Sequence, residues 1–97
     1  MARFHREANG TPWLEITCQE LMDYSDNPRP ICDECLKSLA GCNNIVLIPI
    51  LNEAFCPEHG REALARIHRY PEDLPIEERR TQFYLDYFGI QEGGAAP

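Results

Sequence analysis

The sequence predicts a small α+β domain with a β-hairpin near its N-terminus, a second hairpin followed by a helix, and a C-terminal helix. Three observations point to this class. An Asn-Gly pair at positions 9–10 separates two segments suited to strands. The run Ile45-Val46-Leu47-Ile48 is apolar and largely β-branched, as buried strands are. Pro57 and Pro75 each precede a helical pattern, and proline is favoured at the first position of a helix.

The N-terminal hairpin is predicted from its turn and from the alternation beside it. Asn9-Gly10 lies between residues 4–8 and 11–17, and this pair favours a two-residue turn of type I′. In the second segment, Leu14 and Ile16 alternate with polar residues, as in a strand with one buried face. We therefore expect two antiparallel strands here.

Two short helices are predicted to follow. Thr17-Cys18-Gln19-Glu20 matches a capping box, in which the first and last side chains satisfy backbone N–H groups at a helix start. We expect one or two helical turns after it. Residues 25–30 contain two prolines and are predicted to form a loop. Residues 32–40 suit a second short helix, because Gly41 follows as a stop signal.

The second hairpin is predicted over residues 44–56. Its first strand is the apolar run described above, Leu51-Asn52 forms the turn, and residues 53–56 return. Pro49 has no backbone N–H to donate to a sheet, so we expect it at an edge or a bulge.

Two further helices complete the predicted domain. The first runs from Pro57 to about Arg69, and the second runs through residues 76–88 and ends at Gly89. The second helix has a large apolar side, formed by Ile76, Phe83, Tyr84, Tyr87 and Phe88. We expect Phe83 and Tyr87 to cover the apolar hairpin as part of the core.

The whole chain has 97 residues, which suits one domain. We assign residues 1–90 to it and expect residues 91–97 to be a disordered tail. No apolar run approaches the roughly 18 residues of a membrane span, and the N-terminus lacks the apolar region of a secretory signal. These features predict a cytoplasmic protein that does not enter the membrane.

The cysteines and one histidine form the clearest functional pattern. Cys32 and Cys35 are separated by two residues, as are Cys56 and His59, and twenty residues lie between the pairs. Such pairs are typical of structural zinc sites, in which four S and N ligands surround one ion. We predict one structural Zn²⁺ per chain at these residues. Cys42 is the alternative ligand, whereas Cys18 suits the core.

The order of these features resembles the treble-clef group of zinc fingers. The resemblance covers residues 31–70, where a cysteine pair is followed by a hairpin and then by a helix that carries the second pair at its start. It implies a closed, structural zinc site. Many treble-clef domains have glycine near the first pair, whereas Cys32-Asp33-Glu34-Cys35 has none nearby. We therefore expect the first pair at a helix start rather than in a tight turn.

Composition favours binding over catalysis. The chain carries 9 Lys+Arg against 16 Asp+Glu, a net charge of −7, which favours a basic protein partner. Aromatic residues are enriched at binding surfaces, so Tyr84, Tyr87 and Phe88 are candidates for partner contact or for a homodimer. Size and charge also suit an inhibitor of a basic nucleic-acid-binding enzyme, of the kind that phages and mobile elements use against bacterial defence.

Two other functions remain open at this stage. A nucleic-acid-binding zinc finger would need a local basic patch, for which five arginines are available: Arg61, Arg66, Arg69, Arg79 and Arg80. A metal-dependent or redox enzyme is the third alternative. It is disfavoured because four ligands close a zinc site and no nucleophile motif is present.

Overall fold

The computed structural model describes residues 2–90, so the predicted tail 91–97 lies outside the described residues. Within this range, a four-stranded antiparallel sheet has its strands in chain order and is accompanied by three α-helices, which confirms the α+β class. The elements are β1 (Arg3–Arg6), β2 (Pro12–Ile16), α1 (Cys18–Ser25), β3 (Ile45–Ile48), β4 (Glu53–Phe55), α2 (Pro57–Arg66) and α3 (Leu74–Phe88). A 3₁₀ turn, Pro71–Asp73, precedes α3. None of the helices in this part of the chain has both the length and the apolar character needed to cross a bilayer.

The N-terminal hairpin is confirmed, but its turn differs from the prediction. Gly10 has φ +93°, whereas Asn9 is not among the residues with positive φ, which a type I′ turn requires. The N–H of Gly10 instead donates to the carbonyl of Glu7, so Ala8 and Asn9 are the central residues of the turn. The side-chain oxygen of Asn9 accepts two hydrogen bonds from Thr11, which stabilises this longer loop.

Helix α1 begins at the predicted capping box. The Thr17 hydroxyl accepts from the N–H of Glu20, and the Glu20 carboxylate accepts from the N–H of Thr17. The helix ends at Ser25, and the following residue, Asp26, adopts the left-handed conformation with φ +56°.

The predicted helix over residues 32–40 is wrong. The chain instead makes a tight reversal, in which Ile31 pairs with Ser38 as an isolated bridge and the N–H of Cys32 donates to the carbonyl of Lys37. The N–H of Leu36 closes a single α-turn onto Cys32, and Leu36 then takes φ +63°. A left-handed residue at this point turns the chain back, so no helix can propagate. We call residues 31–38 the cysteine turn.

The second hairpin and α2 largely follow the prediction. Strands β3 and β4 pair as expected, and Asn52 turns the chain with φ +56°. Pro49 lies immediately after β3 in this turn, where no ladder hydrogen bond is needed. Pro57 starts α2, but the helix ends at Arg66, three residues before the predicted end, because Ile67 is extended.

Helix α2 packs on one face of the sheet at very short range. In the strand register, Glu15, Val46 and Phe55 are neighbours across β2, β3 and β4. Gly60 of α2 lies directly on Val46, and a Cβ atom on Gly60 would be 2.4 Å from the Val46 Cβ. The opposite face of the sheet contributes the fully buried side chain of Leu14 to the core.

Helix α3 buries a different set of side chains from the one predicted. Tyr84 and Leu85 are 3% and 1% exposed, whereas Phe83 and Tyr87 are 56% and 49% exposed. The prediction that Phe83 and Tyr87 belong to the core is therefore wrong. The buried face of α3 instead follows the helical repeat through Glu77, Thr81 and the pair 84–85.

Candidate metal centre

The structure brings the four predicted ligands together. One donor atom from each of Cys32, Cys35, Cys56 and His59 lies within 4.8 Å of all the others. Ligand atoms around a tetrahedral Zn²⁺ are about 3.7 Å apart, given Zn–S distances near 2.3 Å. The four donors are therefore close enough to converge on one ion with small side-chain adjustments.

The first two ligands are carried by the cysteine turn. Cys32 is fully buried, and Cys35 is half-buried on the same reversal of the chain. The N–H of Glu34 donates to the Cys32 sulfur over 3.4 Å. The turn thus presents both sulfur atoms to one point. The expectation that the first pair lies at a helix start rather than in a tight turn is therefore wrong, although no glycine is present.

The other two ligands lie where β4 passes into α2. Cys56 is the N-cap of α2, Pro57 occupies its first position, and His59 follows within the first turn. The Cys56 sulfur is 3.1 Å from Nδ1 of His59, so Nδ1 is the ring nitrogen that faces the cluster. The positive end of the helix dipole favours negatively charged sulfur at this position.

Asp33 joins the two halves of the centre, and the sequence analysis did not identify it. Its N–H donates to the carbonyl of Ala54 over 2.9 Å, and its Oδ2 accepts from the N–H of Ala54 over 2.8 Å. Ala54 lies on the outer edge of the sheet, two residues before Cys56. The cysteine turn therefore docks on β4 as a short extension of the sheet edge. The only sequence signal was an aspartate placed between two ligands.

The surroundings of the cluster shift the pKa values of two of its cysteines in opposite directions. Burial opposes ionisation of Cys32, but N–H groups of Cys35, Cys56 and Glu34 outweigh it and lower the pKa of the Cys32 thiol to about 7. The pKa of Cys56 is raised, first by burial and then by the neighbouring sulfurs of Cys32 and Cys35. A metal cation at the centre would neutralise this repulsion between sulfur atoms.

The surface beside the centre is acidic. Asp33 and Glu34 lie near Glu53, whose pKa is raised by its partial burial and by these two carboxylates. The basic side chain of Arg66 reaches this surface, where its Nη2 lies 3.7 Å from Oε1 of Glu34. We call Asp33, Glu34 and Glu53 the acidic patch.

The remaining cysteines lie apart from the cluster. Cys18 is buried at the start of α1, as expected for a core residue. Cys42 is half-buried, and its sulfur contacts Oδ1 of Asn44 at 3.4 Å. Within residues 2–90, the single group of Cys, His and acidic side chains with metal-binding geometry contains neither of them.

The three candidate partner-binding residues differ in accessibility. Tyr84 is buried, and its hydroxyl donates to Oδ1 of Asn52 in the β3–β4 turn. Tyr87 is half-exposed and Phe88 is partly buried; both rings contact Tyr24 of α1. Tyr84 is therefore placed as a core residue, while a partner role for Tyr87 and Phe88 stays a prediction.

Comparison with known proteins provides no assignment for this arrangement. No family profile matches the chain, and no significant match is found among curated proteins or solved structures.

Proposed function

We propose that this chain is a non-enzymatic interaction domain built around one structural zinc ion. The observation that carries the proposal is the convergence of three sulfur atoms and one imidazole nitrogen from two distant segments. Such a set of ligands is typical of structural Zn²⁺. A cysteine turn, a hairpin and a helix N-terminus supply the ligands in that order, which supports membership of the treble-clef group.

A structural role follows from the number of ligands. A catalytic zinc keeps one position open for water or substrate, whereas four protein ligands fill the tetrahedron. Glu58 lies between Cys56 and His59 but is exposed in the first turn of α2, where a negative charge stabilises the helix. The zinc ion would thus hold the cysteine turn against the hairpin and contribute directly to folding.

The charge of the domain supports a basic protein as its partner. The net charge is −7, and three thiolates on one Zn²⁺ would add a further negative charge beside the acidic patch. Electrostatic attraction of this kind accelerates association with a positively charged surface. We favour a partner with a basic groove, such as a nucleic-acid-binding enzyme that the domain would inhibit by occupying that groove.

Two of the five candidate arginines, Arg69 and Arg80, are engaged within the fold, which disfavours the nucleic-acid alternative. Arg69 contacts the buried carboxylate of Glu77, and its guanidinium also donates to the carbonyl of Asn9. Arg80 donates to the carbonyl of Ile50 over 2.8 Å. These two side chains hold the fold together and have less freedom to contact phosphates.

Two measurements test the proposal. Native mass spectrometry of protein purified under reducing conditions should show one zinc per chain, and substitution with Co²⁺ should give the absorption of a tetrahedral thiolate site. Affinity purification followed by mass spectrometry should recover basic proteins with the wild type and fewer with Glu34→Lys/Glu53→Lys. A folded protein free of metal would contradict the zinc assignment, and equal recovery by both proteins would contradict the acidic interface.

A further inference from the structure

Leu36 combines two unfavourable features at the tip of the cysteine turn. Its φ of +63° is a conformation that leucine rarely adopts, and its side chain is 67% exposed. Glycine or asparagine would fit this backbone better, and a polar side chain would suit the exposure better. A strained backbone that presents an apolar side chain to solvent is a feature associated with binding sites.

An apolar groove lies beside Leu36. It has a volume of about 860 Å³ and runs between α1 and the cysteine turn. Its walls include Met22 of α1, Pro30, Ile31 and Leu36. Ile31 is itself 44% exposed, so two large aliphatic side chains of one short turn border the same groove. Solvent-exposed apolar side chains around a concave surface are typical of protein-binding sites.

The groove lining includes a positively charged side chain. Among the described residues that line it, Arg29 is the only charged side chain, and it is exposed. The lining therefore carries one positive charge and is otherwise uncharged, in a chain with a large excess of acidic residues. The acidic patch has the opposite charge, so the two surfaces would select different ligands.

We propose that this groove binds an extended peptide segment of a partner protein, in which apolar side chains flank one carboxylate. Leu36 and Ile31 contact the apolar side chains, and the guanidinium of Arg29 pairs with the carboxylate. Apolar contacts supply most of the binding free energy, while the charge pair sets the position of the segment. This site goes beyond the proposed acidic interface, because its ligand carries negative rather than positive charge.

The test is a selection of short random peptides displayed on phage, with the folded full chain as bait in a buffer that contains zinc. Enriched peptides are then synthesised, and their affinity is measured by fluorescence anisotropy. The variants are Arg29→Gln, Leu36→Gly and Leu36→Asn, because glycine and asparagine both accept the left-handed backbone. Leu74→Gln is the matched control, since Leu74 is 40% exposed and lies outside the groove.

The expected peptides combine apolar residues with an aspartate, a glutamate or a free C-terminal carboxylate. Both Leu36 variants should weaken their binding about tenfold or more, Arg29→Gln should weaken it about threefold to tenfold, and Leu74→Gln should leave it unchanged. Leu36→Gly should also raise the thermal midpoint, because it relieves backbone strain. The proposal is overturned if no peptide is enriched, if basic peptides dominate, or if the Leu36 variants bind as tightly as the wild type while circular dichroism shows them folded.

Discussion

Asp33 is bound to Ala54 through both its backbone and its side chain, at 2.9 and 2.8 Å. This double contact places the cysteine turn on the edge of β4, close to Cys56. Together with the fully buried side chain of Cys32, it fixes the first two candidate ligands against the sheet. In the folded chain this relationship holds two of the candidate ligands next to the other two, and it reduces the entropy that metal binding must offset.

Replacing Asp33 with alanine should weaken the metal centre without removing a ligand. The N–H of Ala54 would lose its acceptor, so we expect the free energy of unfolding to fall by about 1–2 kcal/mol. Zinc affinity, measured by competition with a chromogenic chelator, should decrease as well. Asp33→Asn keeps an acceptor oxygen and should lose less. Equal affinities for the wild type and the alanine variant would show that the turn is positioned by other contacts.

The sequence predicted which cysteines and histidine lie together better than it predicted the turn that carries two of them. Ligand spacing is a local pattern, and Cys56 and His59 needed only a strand followed by a helix start. The conformation of residues 32–40 includes a left-handed Leu36, which local propensity disfavours, and a contact between Asp33 and Ala54, twenty-one residues away. Long-range contacts therefore overrode the helical preference of this segment.

The buried face of α3 was ambiguous for a similar reason. Residues 83 and 87 are four apart, and so are residues 84 and 88. Either pair could therefore lie on the buried face, and the helical repeat alone does not choose between them. The structure places Tyr84 inward, where its hydroxyl reaches Asn52. That polar partner lies in the β3–β4 turn and is not evident from the helix sequence.

Replacing Gly60 with alanine should destabilise the domain. Helix propensity alone would make this change favourable by about 1 kcal/mol. The added Cβ, however, would lie 2.4 Å from the Cβ of Val46, so α2 must move away from the sheet. We expect a net loss of about 1–3 kcal/mol in urea unfolding.

The matched control for this change is Ala65→Gly, an exposed position on the same helix. Because Ala65 is the next-to-last residue of α2, this change should cost less than about 1 kcal/mol through propensity alone. A more stable Gly60→Ala variant would show that α2 can shift without loss of packing.

Substitution of a ligand should unfold the domain, while substitution of another cysteine should not. Cys35→Ser, Cys56→Ser and His59→Ala should each abolish stoichiometric zinc and much of the circular dichroism, because metal binding contributes most of the folding free energy in small zinc domains. Addition of a strong chelator to the wild type should have the same effect, reversible by zinc.

Cys42→Ser is the control for the ligand substitutions, because its sulfur contacts Asn44 rather than the cluster. It should retain one zinc per chain and a native spectrum. If Cys42→Ser lost the metal while His59→Ala kept it, the proposed set of ligands would be incorrect.

Tyr84 should make the domain less stable in alkaline solution. Burial, and then the neighbouring Tyr24, raise the pKa of Tyr84 in the folded state. An unfolded tyrosine ionises near pH 10, so above about that pH the unfolded state releases a proton that the folded state retains. The free energy of unfolding therefore falls as the pH rises beyond this point, and Tyr84 has no such effect at lower pH, where the side chain is neutral in both states.

Comparison with Tyr84→Phe isolates this effect from other groups that titrate at high pH. The variant loses the hydrogen bond to Asn52 and should be less stable by about 1 kcal/mol at neutral pH. Because it cannot ionise at this position, its stability should fall less steeply above about pH 10, so the difference between the two proteins should narrow there. Urea unfolding at several pH values measures this difference. The difference in the free energy of unfolding between the two proteins could instead stay constant in alkaline solution. Tyr84 would then ionise equally readily in the folded and unfolded chains, which would contradict its burial against α1 and the β3–β4 turn.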